Sequence, residues 1–392
     1  MNVMNGYDKL AEIVPIAPDY VIDWKKIEFS LMSPFYEKMK KTQQNPEFHA
    51  EGDVWKHTKM VCECLVNDSE FRSLQRRQQQ ELFLASVLHD VGKIYTTKLE
   101  NGSWTSPYHS IRGANVVRDL LWREYGLCGT HEFQVFRETI CLLVRYHMTP
   151  SHILESERSE QKLIKIASNG ELIPDFDLNM LLILSAADNN GRLFAGKKQR
   201  EEDILLVREL ADELEYLNAP RKFSDSFTEF AYLSGKQKYP DSQLFNDTEF
   251  EAVIICGLPG TGKDTFIQNN YPDYFVVSLD DIRSEFGISP LGNQKEVVRI
   301  ANERAAKLMR KKQSFVWNAT SVTPDIRRRV VSLVTDYHGY VKIFFLETDF
   351  EENLKRNKSR SKAVPQSVIE KMLERLVLPE RFEAHDVEWI CL

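Results

Sequence analysis

Two sets of residues in this chain have the types and spacing to do chemistry. The first is "GLPGTGKDTF", residues 257–266, in which Gly257, Gly260, Gly262 and Lys263 follow the pattern of a phosphate-binding loop. Glycines there let backbone N–H groups turn inward around phosphates, and the Lys263 ammonium neutralises charge as a phosphoryl group moves. With Thr261 between the last two glycines, the expected nucleotide-binding set is Gly260, Thr261, Gly262, Lys263, Asp264 and Thr265. One letter departs: Asp264 stands where a hydroxyl usually meets Mg²⁺. Because Mg²⁺ takes hard oxygen ligands, that carboxylate can replace the hydroxyl, directly or through a water. Thr265 is the weaker candidate, since one step along a helix turns a side chain by about 100°. The competing explanation is that Asp264 only favours its helix start through the dipole.

The second set is a series of histidine and aspartate pieces. In order they are "FHAEGDVWKHT" (48–58), "LHDVGK" (88–93), "HSIRGA" (109–114), "YHMTP" (146–150) and "ADNNGR" (187–192). A lone helical histidine is usually a packed or surface residue, but this ordered series points to a metal site built from helices that each donate inward groups. Two smaller features accompany the loop. In "SLDDIR" a carboxylate at a strand's carboxyl end can accept a hydroxyl proton, and only one of Asp280 and Asp281 can point into the site. In "NLKRNKSRSK" Arg356 and Arg360 are spaced to share one helical face and clamp phosphate oxygens.

The elements that must position these groups differ in grain along the chain. From about 55 to 217, apolar residues recur at three and four, as in "ELFLASVLHD" and "LNMLLILSAAD", which predicts a helical bundle with no convincing strand. Residues 219–248 lose that pattern and read as a linker, although their aromatics suggest local packing. Beyond them, "EAVIICG", "YFVVSLD", "SFVWNA" and "VKIFFLE" alternate with helical stretches, the grain of a parallel α/β sheet. The expected organisation is therefore an all-α domain over 1–218, a linker, and an α/β P-loop domain over 249–392.

Composition is consistent with that division. A chain of 392 residues suits two domains of about 100–200 residues each. Six scattered cysteines without a C-x-x-C pair indicate neither a disulfide framework nor a zinc knuckle, and no apolar run is long enough to span a membrane. A cytoplasmic protein without a membrane partner is expected. The net charge of −7 excludes a broad nucleic-acid coat but not a protein that grips an end. Positive runs at 310–312, 327–329 and 355–362 lie in the last third, and the first two read as solvated helix faces.

Taken together, the P-loop, D-D-x-R, the strand ending in "WNAT" and "RNKSRSKAVP" followed by "VIEKML" resemble the phage-type and bacterial polynucleotide 5′-hydroxyl kinases over 250–392. The resemblance implies Lys263 on the phosphates of ATP or another NTP with Mg²⁺, Asp280 as base for a 5′-OH, Arg283 on the substrate backbone, and Arg356 and Arg360 as a lid. Asn318, at a strand end where an acidic residue is common, joins the expected substrate-binding set. The earlier pieces resemble the HD-domain metal phosphohydrolases over roughly 45–195, most closely the HD domains attached to bacterial tRNA nucleotidyltransferases. That likeness implies His57, His89, Asp90 and Asp188 as primary ligands, and His109 and His147 for a second metal or a phosphate. Lys93 and Arg192 become charge stabilisers and His49 a substrate contact. Such a set suits Mn²⁺, Ni²⁺, Co²⁺ or Zn²⁺.

The whole chain resembles the bacterial HD-domain phosphatase-kinase proteins of RNA end healing. The resemblance implies RNA or DNA ends as substrates, hydrolysis of 2′,3′-cyclic phosphate or 2′-phosphate ends, and an RNA ligase as functional partner. The alternatives are a metabolite kinase fused to a nucleotide phosphohydrolase, and a non-enzymatic sensor with an ATP switch.

Overall fold

The computed structural model describes residues 5–289, 292–360 and 363–392, so Ser361 and Lys362 of the basic run lie outside the described residues. The chain forms two compact units, one of Met1–Leu127 and Glu132–Arg221, the other of Cys128–His131 and Lys222–Leu392. Among the described residues no helix is long and apolar enough to cross a membrane.

The first unit is helical. Asp53 caps the helix Val54–Asn67 by accepting from Lys56 N at 2.9 Å, and Asp177 caps Leu178–Asn190 by accepting from Met180 N at 2.7 Å. Val54, Thr58, Val61, Cys62 and Leu65 fall on one buried face of the first of these helices, as the three-and-four spacing requires. The second is apolar on every side and buried along most of its length, so it runs through the core. Arg76–Leu88, His109–Arg123 and His131–Tyr146 complete the frame of the histidine site. The bundle also holds a short antiparallel hairpin, β1 (Lys98–Glu100) with β2 (Ser103–Thr105), which periodicity did not predict because each strand is only three residues long.

The second unit is built on a five-stranded parallel sheet: β3 (Phe250–Cys256), β4 (Phe275–Ser278), β5 (Phe315–Asn318), β6 (Gly339–Glu347) and β7 (Asp386–Cys391), in the order β4-β5-β3-β6-β7. The chain leaves central β3 to one side for β4 and β5, then returns to the other for β6 and β7. The loop after β3 therefore opens at the switch point where ligands enter such sheets. Four of these strands match the sequence expectation. The fifth, β7, escaped it because an edge strand reading "DVEWIC" alternates charged and apolar residues with little burial. Within the stretch read as a linker, Ser226–Leu233 is a buried helix of the second unit, and its Phe230 ring lies 4.4 Å from that of His385. The 327–329 run also differs from a solvated face. Arg327 is fully buried, donating to Glu383 at 2.6 and 2.7 Å and to the Ser321 carbonyl at 3.0 Å.

Candidate functional site

The histidine and aspartate pieces converge in the first unit. His57 comes from the helix Val54–Asn67, His89 and Asp90 follow the end of Arg76–Leu88, His109 opens His109–Arg123, His147 follows Tyr146, and Asp188 lies in Leu178–Asn190. Close backbone approach makes this convergence possible. A Cβ at Gly92 would lie 2.0 Å from the His109 carbonyl oxygen and 2.7 Å from Gly113 N, so only glycine lets the turn carrying Asp90 meet the helix carrying His109.

Tautomers follow from second contacts. Nδ1 of His89, His109 and His147 lies 2.7, 2.8 and 2.8 Å from the carbonyls of Ser86, Ser106 and Val144. A carbonyl can only accept, so Nδ1 carries the proton in each ring and Nε2 is the nitrogen turned into the cluster. Burial, the largest cause, pushes His109 down to about 4 and His147 to about 3, which keeps both rings neutral and ready to ligate.

His57 Nε2 lies 3.0 Å from Asp188 Oδ1, 3.4 Å from His89 Nε2 and 3.7 Å from Asp90 Oδ2, and His89 Nε2 lies 3.3 Å from Asp90 Oδ2. Ligands about 2.1 Å from one ion stand roughly 3.4 Å apart when tetrahedral, and the His57, His89 and Asp188 atoms lie close enough together to share a divalent metal. On the far side of Asp90, its Oδ1 lies 3.3 Å from His109 Nε2 and 3.9 Å from His147 Nε2. Both of those Nε2 atoms are buried and make no hydrogen bond. Lone pairs facing carboxylate oxygens are unfavourable unless a cation stands between them, and Asp90 offers one oxygen to each of two such positions.

The cationic side chains complete the centre. Lys93 Nζ lies 2.7 Å from Asp90 Oδ2 and donates to Gln44 Oε1 at 2.7 Å; Arg192 donates to Asp188 through Nε at 3.1 Å and again through Nη2. Burial raises both aspartates, but Lys93 and His89 outweigh it at Asp90, and Arg192 and His57 at Asp188, so both stay well below the usual carboxylate range. A cavity of about 820 Å³ opens beside them, lined in part by His49, Lys93, His109, Asp188 and Arg192.

Sequence reasoning missed Glu51. Its Oε1 lies 2.7 Å from His49 Nδ1 and 3.0 Å from His57 Nδ1, while Oε2 accepts from Leu193 N at 2.9 Å. One buried carboxylate thus orients a candidate ligand, a candidate substrate contact and the turn after Arg192. Glu51 sits between the two histidines of the quoted stretch, a signal that was present; nothing in the spacing marked Gln44.

The second site surrounds the loop after β3. Gly257, Gly260 and Gly262 have φ of 144°, 92° and 91°, so side chains there would be strained, and a Cβ at Gly260 would also meet the Asn353 carbonyl oxygen at 2.7 Å. Lys263 opens the helix Lys263–Asn270, and its Nζ contacts the Gly257 and Leu258 carbonyls at 3.1 and 2.8 Å. Burial pushes the Lys263 ammonium down to about 8, while nearby Asp264 and Asp280 pull it up. The glycine-dependent turns of this loop and its single lysine fit a nucleoside triphosphate with Mg²⁺.

Around that cradle the structure places the other expected residues. Asp280 and Asp281 lie on the first turn of Leu279–Glu285, with Asp280 at 2.5 Å from Arg283. Asn318 Nδ2 donates to Asp264 Oδ1 at 2.8 Å, so one of its amide hydrogens is engaged by the residue after the loop lysine. Thr261 is buried, its Oγ1 donating to the Leu258 carbonyl at 2.9 Å, and Thr265 follows Asp264 on the helix.

Arg356 and Arg360 do not share a helical face. The helix Phe350–Lys358 is capped at Ser359, which leaves Arg360 beyond it. Both still reach the loop, Arg360 with a guanidinium nitrogen 3.9 Å from Asp264 Oδ2 and Arg356 with one 3.9 Å from where a Gly262 Cβ would lie. Asn353, also missed, ties the helix of Arg356 down by donating to the Pro259 carbonyl at 2.9 Å.

Fold and site geometry define a helical unit with a His/Asp cluster able to bind metal, followed by a parallel α/β unit of P-loop type. Comparison with known families agrees: residues 54–188 match the HD domain family, and residues 253–379 match a family described as an AAA domain. The matches support a fused architecture, an HD domain followed by a P-loop kinase-like domain, both of kinds that are typically enzymatic.

Proposed function

We propose that the protein heals RNA ends, its second unit phosphorylating a 5′-OH with ATP and its first hydrolysing a 2′,3′-cyclic phosphate or 2′-phosphate. Attack by an RNA's own 2′-OH leaves those two ends on the two fragments. The observation that carries the reading is the pairing on one chain of a His/Asp metal cluster with a P-loop site that has a carboxylate beside it. One substrate class needs both chemistries, and an RNA ligase would act on the products.

In the second unit, Asp280 accepts the proton of the 5′-hydroxyl as its oxygen attacks the γ-phosphorus. Arg283, paired with Asp280 at 2.5 Å, is the cation for the substrate's own phosphates. Lys263, Arg356 and Arg360 offset charge on the transferred group. Asp264 would help hold the Mg²⁺ that comes with the nucleotide, which would supply further neutralisation.

In the first unit, His57, His89, Asp90 and Asp188 would hold one divalent metal, with His109, His147 and the second oxygen of Asp90 placed for another. Such a metal supplies an acidified water and a Lewis acid for phosphate ester hydrolysis. Lys93 and Arg192 face the cavity and stabilise phosphate oxygens, while His49, held by Glu51, contacts the substrate.

The test is transfer of label from γ-labelled ATP to a 5′-OH oligonucleotide and, separately, to free nucleosides. Labelled oligomer, with the label lost in Asp280→Ala, is the expected result. Labelled nucleoside with an unlabelled oligomer would replace this reading with a metabolite kinase.

A further inference from the structure

Two departures at the phosphate-binding site prove to be in contact. In P-loop enzymes of the ordinary pattern, a Ser or Thr hydroxyl after the loop lysine and a carboxylate at a neighbouring strand end share the Mg²⁺. This chain has a carboxylate, Asp264, at the first position and an amide, Asn318, at the second. Each departure alone would unbalance the site. Together they keep one anionic and one neutral oxygen-bearing group, with the elements that carry them exchanged.

The geometry connects the pair. Asn318 is buried at the end of β5, its backbone paired with Ile255 of β3 on one side and Ser278 of β4 on the other. Its Nδ2 donates to Asp264 Oδ1 at 2.8 Å. The Asp264 side chain is 67% exposed, and its other oxygen lies 3.9 Å from the Arg360 guanidinium. An exposed aspartate at a helix start is ordinarily free to turn. Here one oxygen is fixed by a rigid strand end through a charge-assisted hydrogen bond, and the second remains on the exposed side, near Arg360.

We propose that Asp264 and Asn318 have exchanged the usual roles, with Asp264 supplying the anionic oxygen of the Mg²⁺ shell and Asn318 acting as the positioning residue that aims it. The inference rests on the reading of this unit as a site for Mg²⁺ and a nucleoside triphosphate. It has a measurable consequence for how Mg²⁺ and ATP bind. A carboxylate in the first turn repels a metal-free triphosphate and attracts one that carries Mg²⁺, so Mg²⁺ and ATP bind with strong mutual dependence.

The experiment is equilibrium binding of a ribose-labelled fluorescent ATP, without Mg²⁺ and at saturating Mg²⁺, to the full chain and its variants. The ratio of the two affinities measures the coupling. It should be large in the wild type and fall at least about tenfold in Asp264→Ser, the scale of one interaction with a charged group. Asn318→Leu should lower the ratio in the same direction, because the carboxylate is no longer held. Asn318→Asp should weaken binding without Mg²⁺ by setting two carboxylates against each other. The double variant Asp264→Ser/Asn318→Asp, which restores the ordinary arrangement, should recover a ratio within about threefold of the wild type; an additive result, with no recovery, would contradict the exchange.

Asp264 is exposed, so its substitution leaves the fold intact and keeps the test open even where a variant of buried Asn318 fails to fold. Equal ratios in the wild type and Asp264→Ser would overturn the proposal while leaving the nucleotide site standing. Wild-type protein that bound no ATP under either condition would remove the reading of the unit and the proposal with it.

Discussion

The two sites differ most in how finished they are. In the first unit the candidate ligands are sealed, with His57 and His89 side chains at 0% exposure, Asp90 at 1% and Asp188 at 5%. Three of the four histidines are held by backbone carbonyls and the fourth faces Glu51. In the second unit the groups that would meet substrate stand open, with Asp280 at 72% and Asp264 at 67%. The contrast separates two ways of organising phosphate chemistry. A resident metal requires a rigid, desolvated, prepositioned ligand set. A phosphoryl-transfer site whose cation arrives with the nucleotide requires a fixed phosphate cradle and leaves the surrounding charges to be drawn in by the substrate.

The contrast can be broken most sharply by removing a buried ligand. His89→Ala or Asp90→Ala should reduce phosphoesterase activity to background and abolish metal retention measured by elemental analysis, with nucleotide binding unchanged in the second unit. Loss of both in folded protein would mean that the sites are not separate.

The next effect tests the open site. Asp280→Ala should lower the rate of phosphoryl transfer by about 10²- to 10⁴-fold, the range for loss of a general base, and Asp281→Ala should cost far less. Equal losses in steady-state kinetics would reverse the choice between the two carboxylates.

The residues that converge in the His/Asp cluster were legible in the sequence because each sits in a short stretch with its own flanking residues. Their mutual distances were not, since His57 and Asp188 lie 131 residues apart and meet only through helix packing. The same limit hid Glu51, whose role depends on two rings and a distant turn. It also hid Asn353, which matters only because its helix crosses the phosphate-binding loop. Arg356 and Arg360 were found by type, but helical spacing misled, because the helix stops at Ser359 before reaching the second arginine. The Asp264 to Asn318 contact shows the reverse. Both departures were visible as letters, and only the fold shows that they are in contact.

Smaller effects sharpen the comparison. Glu51→Ala should weaken metal binding by about 10- to 100-fold in titration calorimetry, the usual cost of losing an outer-shell partner, while Glu51→Gln should retain part of it. Unchanged affinity in both would reduce Glu51 to a packing residue. Chelation should lower the melting transition of the first unit by the linkage term, about 2.7 kcal/mol at a hundredfold excess of free metal over Kd, and leave that of the second in place. A shift of both transitions by the same amount in calorimetry would contradict the assignment of the resident metal to one unit.

The central claim is that one chain repairs both ends of a broken RNA at two independent centres. Its most direct test is mass spectrometry of a single RNA oligomer that carries a 5′-OH and a 2′,3′-cyclic phosphate, incubated with ATP, Mg²⁺ and a transition metal. The account predicts a phosphoryl group gained at the 5′ end and the cyclic phosphate hydrolysed at the other, with Asp280→Ala removing only the first change and His89→Ala only the second. An oligomer unchanged at both ends, alongside phosphorylation of free nucleosides by the same preparation, would contradict it.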